Sequence, residues 1–456
     1  MKRVLARAKA RVRRAIYRGF RITWALQHDM SRRLSRPGAL VLTALAAAAV
    51  AGFDTNRTVA YQAFAFLLFL LGVSAFAGVA FRARITARRN LPRFATAGEP
   101  VSYSIALHNE GDRPERGLAV LDDLADPRPS LDEFLKAREP GEERRNWVDR
   151  TIGYPRWSWL VRRNQGAVPG EYPVPPLPPR TEVEIRTQLV PDRRGYLRFT
   201  GVTLARSDPF GLLKVLRAHP APQSLLVLPK RYPLGDVRLP GSRRFQHGGV
   251  ALATSVGDSD EFFSLRDYRP GDPLRRIHWR SWAKAGRPIV KEHHDEFFVR
   301  HALLLDTFVS ADHDGAFEEA VSVAASFACA VRTQDSLLDL MFVGPESYCF
   351  TAGRGVGHAD GMLEVLACVR PCREAAFEAL HRAVIERHAA LSGCVCVLLA
   401  WDDDRRALVD HLTALGIETL ALVVTADPAA RARAPEWPRH VHHLVVGQVA
   451  EGLARL

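Results

Sequence analysis

The chain has 456 residues, 47% of them hydrophobic and 25% charged, and a formal net charge of +13. That length suits about three domains, and the composition is that of folded protein rather than a disordered chain. The charge excludes a nucleic-acid-binding body by its location: twelve Lys/Arg against Asp29 give residues 1–36 a charge of +11, Arg82, Arg84, Arg88, Arg89 and Arg93 add five, and everything from residue 94 onward carries −3.

Residues 1–36 form a basic N-terminal segment. Two readings stay open for it: a disordered basic tail, or an amphipathic helix turning Val4, Leu5, Ile16 and Phe20 to an anionic membrane leaflet. Residues 37–53 and 59–81 are uncharged and apolar. A membrane span needs roughly 17–25 such residues, so the second run is comfortable and the first is at the short limit. With the polar residues 54–58 between them, the pair predicts a transmembrane helical hairpin. Lys and Arg crowd both outer ends, which predicts a multi-pass chain with both termini and the main domains cytoplasmic. The competing reading, a signal peptide plus a buried helix, leaves the second run unexplained.

From 95 to 229 the pattern is β. Residues 101–107 (VSYSIAL) alternate with period two, and Val183, Ile185, Thr187 and Leu189 do so again. Prolines at 173, 175, 176, 178 and 179 forbid helix there. These features predict a small antiparallel β-sandwich. Residues 122–170 fit it poorly, with charges at 139–145 and Trp147, Tyr154, Trp157 and Trp159. They read as an insertion, either packed by ordinary ring contacts or lying near a membrane surface, where Trp is favoured.

From 298 to 456 strands and helices alternate. Strands are expected at 301–306, 338–343, 394–400, 417–425 and 440–446, built on apolar runs of which 394–400 (CVCVLLA) is unbroken. Helices are expected at 315–332, 362–369, 375–390 and 404–415, the last ending at Gly416. This predicts an open, mostly parallel, doubly wound α/β sheet. All six cysteines lie after residue 328, in spacings that do not suit zinc, and read as buried reduced thiols.

Ligands of such sheets bind at the carboxyl ends of strands. Asp306 ends the first strand and Asp402 follows the strand at 394–400. With Ser310 they resemble a degenerate metal-ion-dependent adhesion motif of von Willebrand factor type A domains, Asp-x-Ser-x-Ser, in which Phe308 takes the place of the middle Ser. Two or three oxygen ligands for Mg²⁺ remain.

Between the β-domain and this sheet, residues 257–292 (GDSDEFFSLRDYRPGDPLRRIHWRSWAKAGRPIVKE) mix arginines, carboxylates and large rings. The enzymatic reading makes Glu261, Asp267, Asp272 and His278 an acid–base or metal cluster. The structural reading pairs the carboxylates with arginines and packs Trp279 and Trp282 on the sheet. There is no Gx4GK[ST], HExxH or GxSxG motif.

This segment resembles the hallmark of the bacterial family called domain of unknown function 58. The resemblance rests on Glu261-Phe262, Leu265-Arg266-Asp267-Tyr268, Pro270-Gly271-Asp272, Arg275-Arg276-Ile277-His278-Trp279 and Val290-Lys291-Glu292. Arg193-Arg194-Gly195 and Asp208-Pro209-Phe210-Gly211 are similar to that family too, as is the layout of hairpin, β-domain, hallmark and type A-like sheet. His278 departs from it, since the family commonly has Asp there. The resemblance implies a cytoplasmic adaptor or scaffold anchored in the bacterial inner membrane, one that partners a MoxR-type AAA+ ATPase in a chaperone-like or assembly system. A transglutaminase-like membrane protein and membrane lipid are further implied partners. The partner-binding residues would be Glu261, Arg266, Tyr268, Gly271, Asp272, Arg275, Arg276, His278, Trp279, Lys284 and Lys291. The alternative is a metal-dependent hydrolase using Asp306, Asp402 and the hallmark carboxylates.

Overall fold

The structure, a computed structural model, describes the chain except residues 1, 52–57, 80–82, 235–261, 271–273, 275–276, 294–298, 310–313, 331–335, 345, 354–358, 373–375, 434–436 and 439. It divides into two compact units, Met1–Lys230 and Arg231–Leu456.

The first unit begins with three helices, α1 (Lys2–Arg33), α2 (Arg36–Ala51) and α3 (Thr58–Val79). So α1 is helical rather than a disordered tail. Among the described residues, only Val59–Ala77 within α3 is long and apolar enough to cross a membrane, and α2 is shorter at 16 residues. The turn expected at 54–58 lies almost wholly outside the described residues.

The β-domain starts earlier than the sequence suggested, with β1 (Ile85–Asn90), followed by β2 (Phe94–Thr96), β3 (Val101–Asn109) and β4 (Leu118–Leu124). Helices α4 (Leu131–Lys136), α5 (Trp147–Ile152) and α6 (Tyr154–Gln165) form the insertion, and β5 (Glu171–Pro173), β6 (Glu182–Leu189), β7 (Gly195–Ser207) and β8 (Lys214–Leu228) complete the domain. One sheet runs β1-β3-β6 and the other β2-β8-β7-β4-β5. All pairs are antiparallel except the short β2–β8 pair. The two sheets share one core, with Ile105, Leu107 and Ile185 from the first against Val120, Phe199, Leu204 and Leu225 from the second.

Arg89 is not a membrane-flanking charge. It sits in β1, 2% exposed, and forms a buried ion pair with Asp122, which also accepts from the Tyr103 hydroxyl. Its guanidinium donates to the Gly201 and Ala221 carbonyls at 2.8 and 3.0 Å and lies 4.4 Å from the Phe199 ring centre. Burial, with Asp122 beside it, pushes the Tyr103 hydroxyl well above its usual range.

The insertion folds on α1. Capping-box residues Ser130 and Glu133 start α4, and Gly153, at φ +75°, turns the chain from α5 into α6. Phe134, Trp157, Leu160 and Val161 bury against Tyr17 of α1, with Phe20 and Trp24 packed at the edge. The Tyr17 hydroxyl donates to Pro129 O at 2.9 Å. Phe20 therefore faces protein, at 5.6 and 5.7 Å between ring centres from Tyr154 and Trp157. Ile16 lines a small cleft with Phe134 and Ile152. The side chains of Val4 and Leu5 lie outside the described residues.

The second unit holds the hairpin of β9 (Phe262–Asp267) and β10 (Ile289–His293), with α7 (Trp279–Ala285) between them. The sheet that follows is built from β11 (Val299–Leu305), α8 (Asp314–Ala330), β12 (Ser336–Val343), β13 (Ser347–Ala352), α9 (Ala359–Cys368), α10 (Glu378–Ile385), β14 (Gly393–Leu398), α11 (Asp403–Ala414), β15 (Glu418–Thr425), α12 (Ala430–Arg433), β16 (Val441–Val445) and α13 (Val449–Leu453). Its order is β13-β12-β11-β14-β15-β16, parallel except for the antiparallel edge β13. One face, with Ala302, Leu304, Cys394, Cys396 and Val423, packs on Leu380 and Val384 of α10 and Leu408 and Leu412 of α11. Residues of opposite parity point to the other face, where α8 meets β11, β14 and β15. Gly416, at φ +70°, ends α11 as expected. Cys372, Cys394 and Cys396 are buried, but Cys329, Cys349 and Cys368 are exposed, against the expectation for all six.

Candidate functional site

The strand order of the second sheet reverses between β11 and β14, the place where open α/β sheets form a crevice beyond their carboxyl ends. Asp306 stands directly after β11 and is 0% exposed. Asp402 lies beyond β14 and caps α11, its Oδ1 accepting from the backbone N of Arg405 at 3.1 Å. The topology thus brings together the two carboxylates expected there.

Between them lies a residue that sequence reasoning missed. Arg405 Nε donates to Asp306 Oδ2 at 2.6 Å, and its Nη1 pairs with Asp402 Oδ2. Its Nη2 donates to Phe308 O at 3.3 Å, and the guanidinium lies 4.7 Å from the Phe377 ring centre. Asp306 is also held by backbone donors, Phe308 N on Oδ1 at 2.9 Å and Leu399 N on Oδ2 at 3.0 Å. Burial pushes the Asp306 carboxyl up, against Arg405 and these two N–H groups. Burial also works against the charge of Arg405, and Asp306 and Asp402 more than offset it.

A hard divalent cation wants about six oxygen ligands. Here both Asp306 oxygens are occupied by N–H donors, Thr307 Oγ1 donates to Val343 O at 2.5 Å, and Phe308 offers no side-chain oxygen. Ser310 lies outside the described residues. The residues present fit a guanidinium and not Mg²⁺. Among the described residues, no group of three or more His, Cys, Asp or Glu is placed to hold a metal. The signal for Arg405 was its place in Asp402-Asp403-Asp404-Arg405, three residues after a helix-capping Asp.

The hallmark forms a hairpin carrying a short helix. Val290 pairs with Arg266, and Lys291 with Leu265. Ile277 bridges to Val290, both are buried, and His278 N donates to Ile289 O at 2.8 Å. His278 Nδ1 lies 2.6 Å from Ser281 Oγ. Asp267 is exposed and pairs with Arg287 at 3.1 Å. Trp279 and Trp282 stack on each other, ring centres 5.2 Å apart, with Trp279 64% exposed rather than packed on the sheet. Lys284 is exposed and Tyr268 half-buried. Glu261, Gly271, Asp272, Arg275 and Arg276 lie outside the described residues, as do the side chains of Arg266 and Lys291.

The Asp208-Pro209-Phe210-Gly211 motif has a structural task in the first unit. Asp208 closes its own turn by accepting from Leu213 N at 2.9 Å, and Gly211 takes φ +68°. The turn then receives the joint between α1 and α2. Ser35 donates through its N to Leu212 O at 3.1 Å and through its hydroxyl to Gly211 O at 2.5 Å, while Ser35 Oγ accepts from Gly38 N at 3.0 Å. A Cβ on Gly38 would lie 2.1 Å from Leu212 O, so only glycine fits that approach.

Fold and site together define a multidomain protein with, among the described residues, one apolar N-terminal helix of membrane-crossing length, a β-rich domain and a doubly wound sheet. Residues 264–430 match the family model described as "Protein of unknown function DUF58". Over 176 residues the chain is 29% identical to the "Uncharacterized protein YeaD" of Bacillus subtilis (strain 168), which is 38% of this chain and 42% of that relative. Both findings are likenesses over part of the chain. The chain's match spans under half of that relative's length. A solution NMR structure of the CARDB domain of PF1109 from Pyrococcus furiosus aligns with 32% of this chain and 94% of that domain, at 10% identity and a TM-score of 0.17.

Proposed function

We propose that the protein is a membrane-anchored adaptor that works by binding, and that its hallmark segment docks a MoxR-type AAA+ ATPase in the cytoplasm. The observation that carries this reading is the exposed Trp279, stacked on Trp282 and flanked by Arg280 and Lys284 on α7. Trp and Arg are the residues in which binding energy concentrates at interfaces. A tryptophan this exposed, held by its neighbour and by the Gly286 cap, is ready to bury against a partner. The ATPase as occupant comes from the family resemblance. The doubly wound sheet with acidic strand ends supports a type A-like domain beside it. The hydrolase reading needs a cation between Asp306 and Asp402, where the Arg405 guanidinium lies.

The test is capture of the AAA+ ATPase from native membranes by the full chain and by its Trp279→Ala variant. The adaptor reading expects capture to fall at least about tenfold, the loss of one hot-spot residue. Equal capture by the variant would remove the hallmark as the docking face.

A further inference from the structure

Helix α1 has two apolar faces, and the insertion covers one of them. Tyr17, Phe20 and Trp24 pack on Phe134 and Trp157. Val12, Ile22, Leu26 and Met30 remain 58%, 61%, 60% and 50% exposed. With Ala15 and Gly19 they recur every three or four residues, which places them in one stripe along the helix. A Cβ built on Gly19 would meet nothing, so the stripe is open there. Arg11, Arg14 and Arg18 are exposed on its flank. Toward α2 the stripe enters a shallow groove lined by Thr23, Leu26, Gln27, Met30, Leu34 and Ala39.

We propose that this second face lies in the plane of an anionic bilayer, with its aliphatic side chains at the headgroup–acyl boundary and its arginines on lipid phosphates. This rests on the membrane-anchoring part of the function proposed above. Three observations select lipid as the occupant. Two residues, Leu34 and Ser35, separate α1 from α2, and the apolar α3 follows, so the helix runs up to the anchor. The charge of +11 on residues 1–36 complements an anionic surface and repels a second copy of itself. An apolar stripe flanked by arginines is the pattern of in-plane membrane helices. The face differs from the one expected from sequence, because Phe20 is used by the insertion. The buried Tyr17 cluster then holds α4–α6 on the opposite side of the same helix.

The experiment uses the full chain, reconstituted in vesicles of phosphatidylcholine with phosphatidylglycerol. A benzophenone amino acid replaces Ile22, Leu26, Phe20 or, in α3, Leu68, and mass spectrometry reads the photo-adducts. Lipid adducts are expected at 22, 26 and 68, several-fold above those at 20. Joint substitution of Arg11→Glu, Arg14→Glu and Arg18→Glu should lower the adducts at 22 and 26 and leave 68 unchanged. Adducts at 68 with none at 22 or 26, or adducts joining two copies of the chain there, overturn the in-plane helix alone. Absence of lipid adducts at 68 overturns the membrane anchoring as well.

Discussion

Arg405 is a buried cation with two carboxylate partners, a backbone acceptor and an aromatic face. Removing one member of a buried pair leaves an uncompensated charge, at a cost of about 3–5 kcal/mol. Arg405→Ala should therefore lower the unfolding free energy of the second unit by that amount, read in urea titration as a fall in the midpoint. Arg405→Lys should recover only part of it, because one ammonium cannot reproduce the planar fork that spans Asp306 and Asp402. Asp122→Ala should carry a cost of similar size in the β-domain, by stranding Arg89. A variant pair behaving like wild type in denaturant titration would show that neither ion pair holds its unit together. The carboxylates of the strand-end site were legible because Asp306 and Asp402 follow apolar strands. The guanidinium was not, because it reaches Asp306 across 99 residues of sequence.

At the scale of elements, the Asp208–Leu213 turn and the α1–α2 joint make a further prediction. Gly38→Val places a side chain against Leu212 O, and overpacking of this kind costs about 1–3 kcal/mol. The variant should be cut faster than wild type near residue 35 in limited proteolysis, and an unchanged rate would contradict the close approach. On α10 and α11, His381 Nε2 lies 3.1 Å from His411 Nδ1. Burial first, and His411 second, lower the His381 pKa from its ordinary 6.5. Protonation of His381 is thus easier in the unfolded chain, so His381 adds instability as pH falls through 6.5 and below. His411→Gln should flatten that acid-side loss in thermal unfolding.

The apolar runs within β11, β12, β14 and β15 announced a covered parallel sheet, and the structure has one. Edge strand β13 escaped notice because its SYCFTA sequence is largely exposed and lacks that signature. Strand β1 escaped because Arg88-Arg89 resembles a membrane flank, and only Asp122, 33 residues away, makes Arg89 a core residue. The insertion's packing was equally hidden, since it depends on Tyr17 and Phe20 in a helix more than 100 residues earlier.

For the whole molecule, each unit has its own core and its own buried ion pair. We propose lipid contact for helices of the first unit and partner docking for the second, with no catalytic metal in either role. Calorimetric titration of the full chain with Mg²⁺ and Mn²⁺ tests this most directly, with Asp306→Ala run beside it. No saturable heat is expected for wild type, because the Arg405 guanidinium already lies between the strand-end carboxylates. Saturable binding of one cation by wild type, abolished in Asp306→Ala, would contradict it and restore the hydrolase reading.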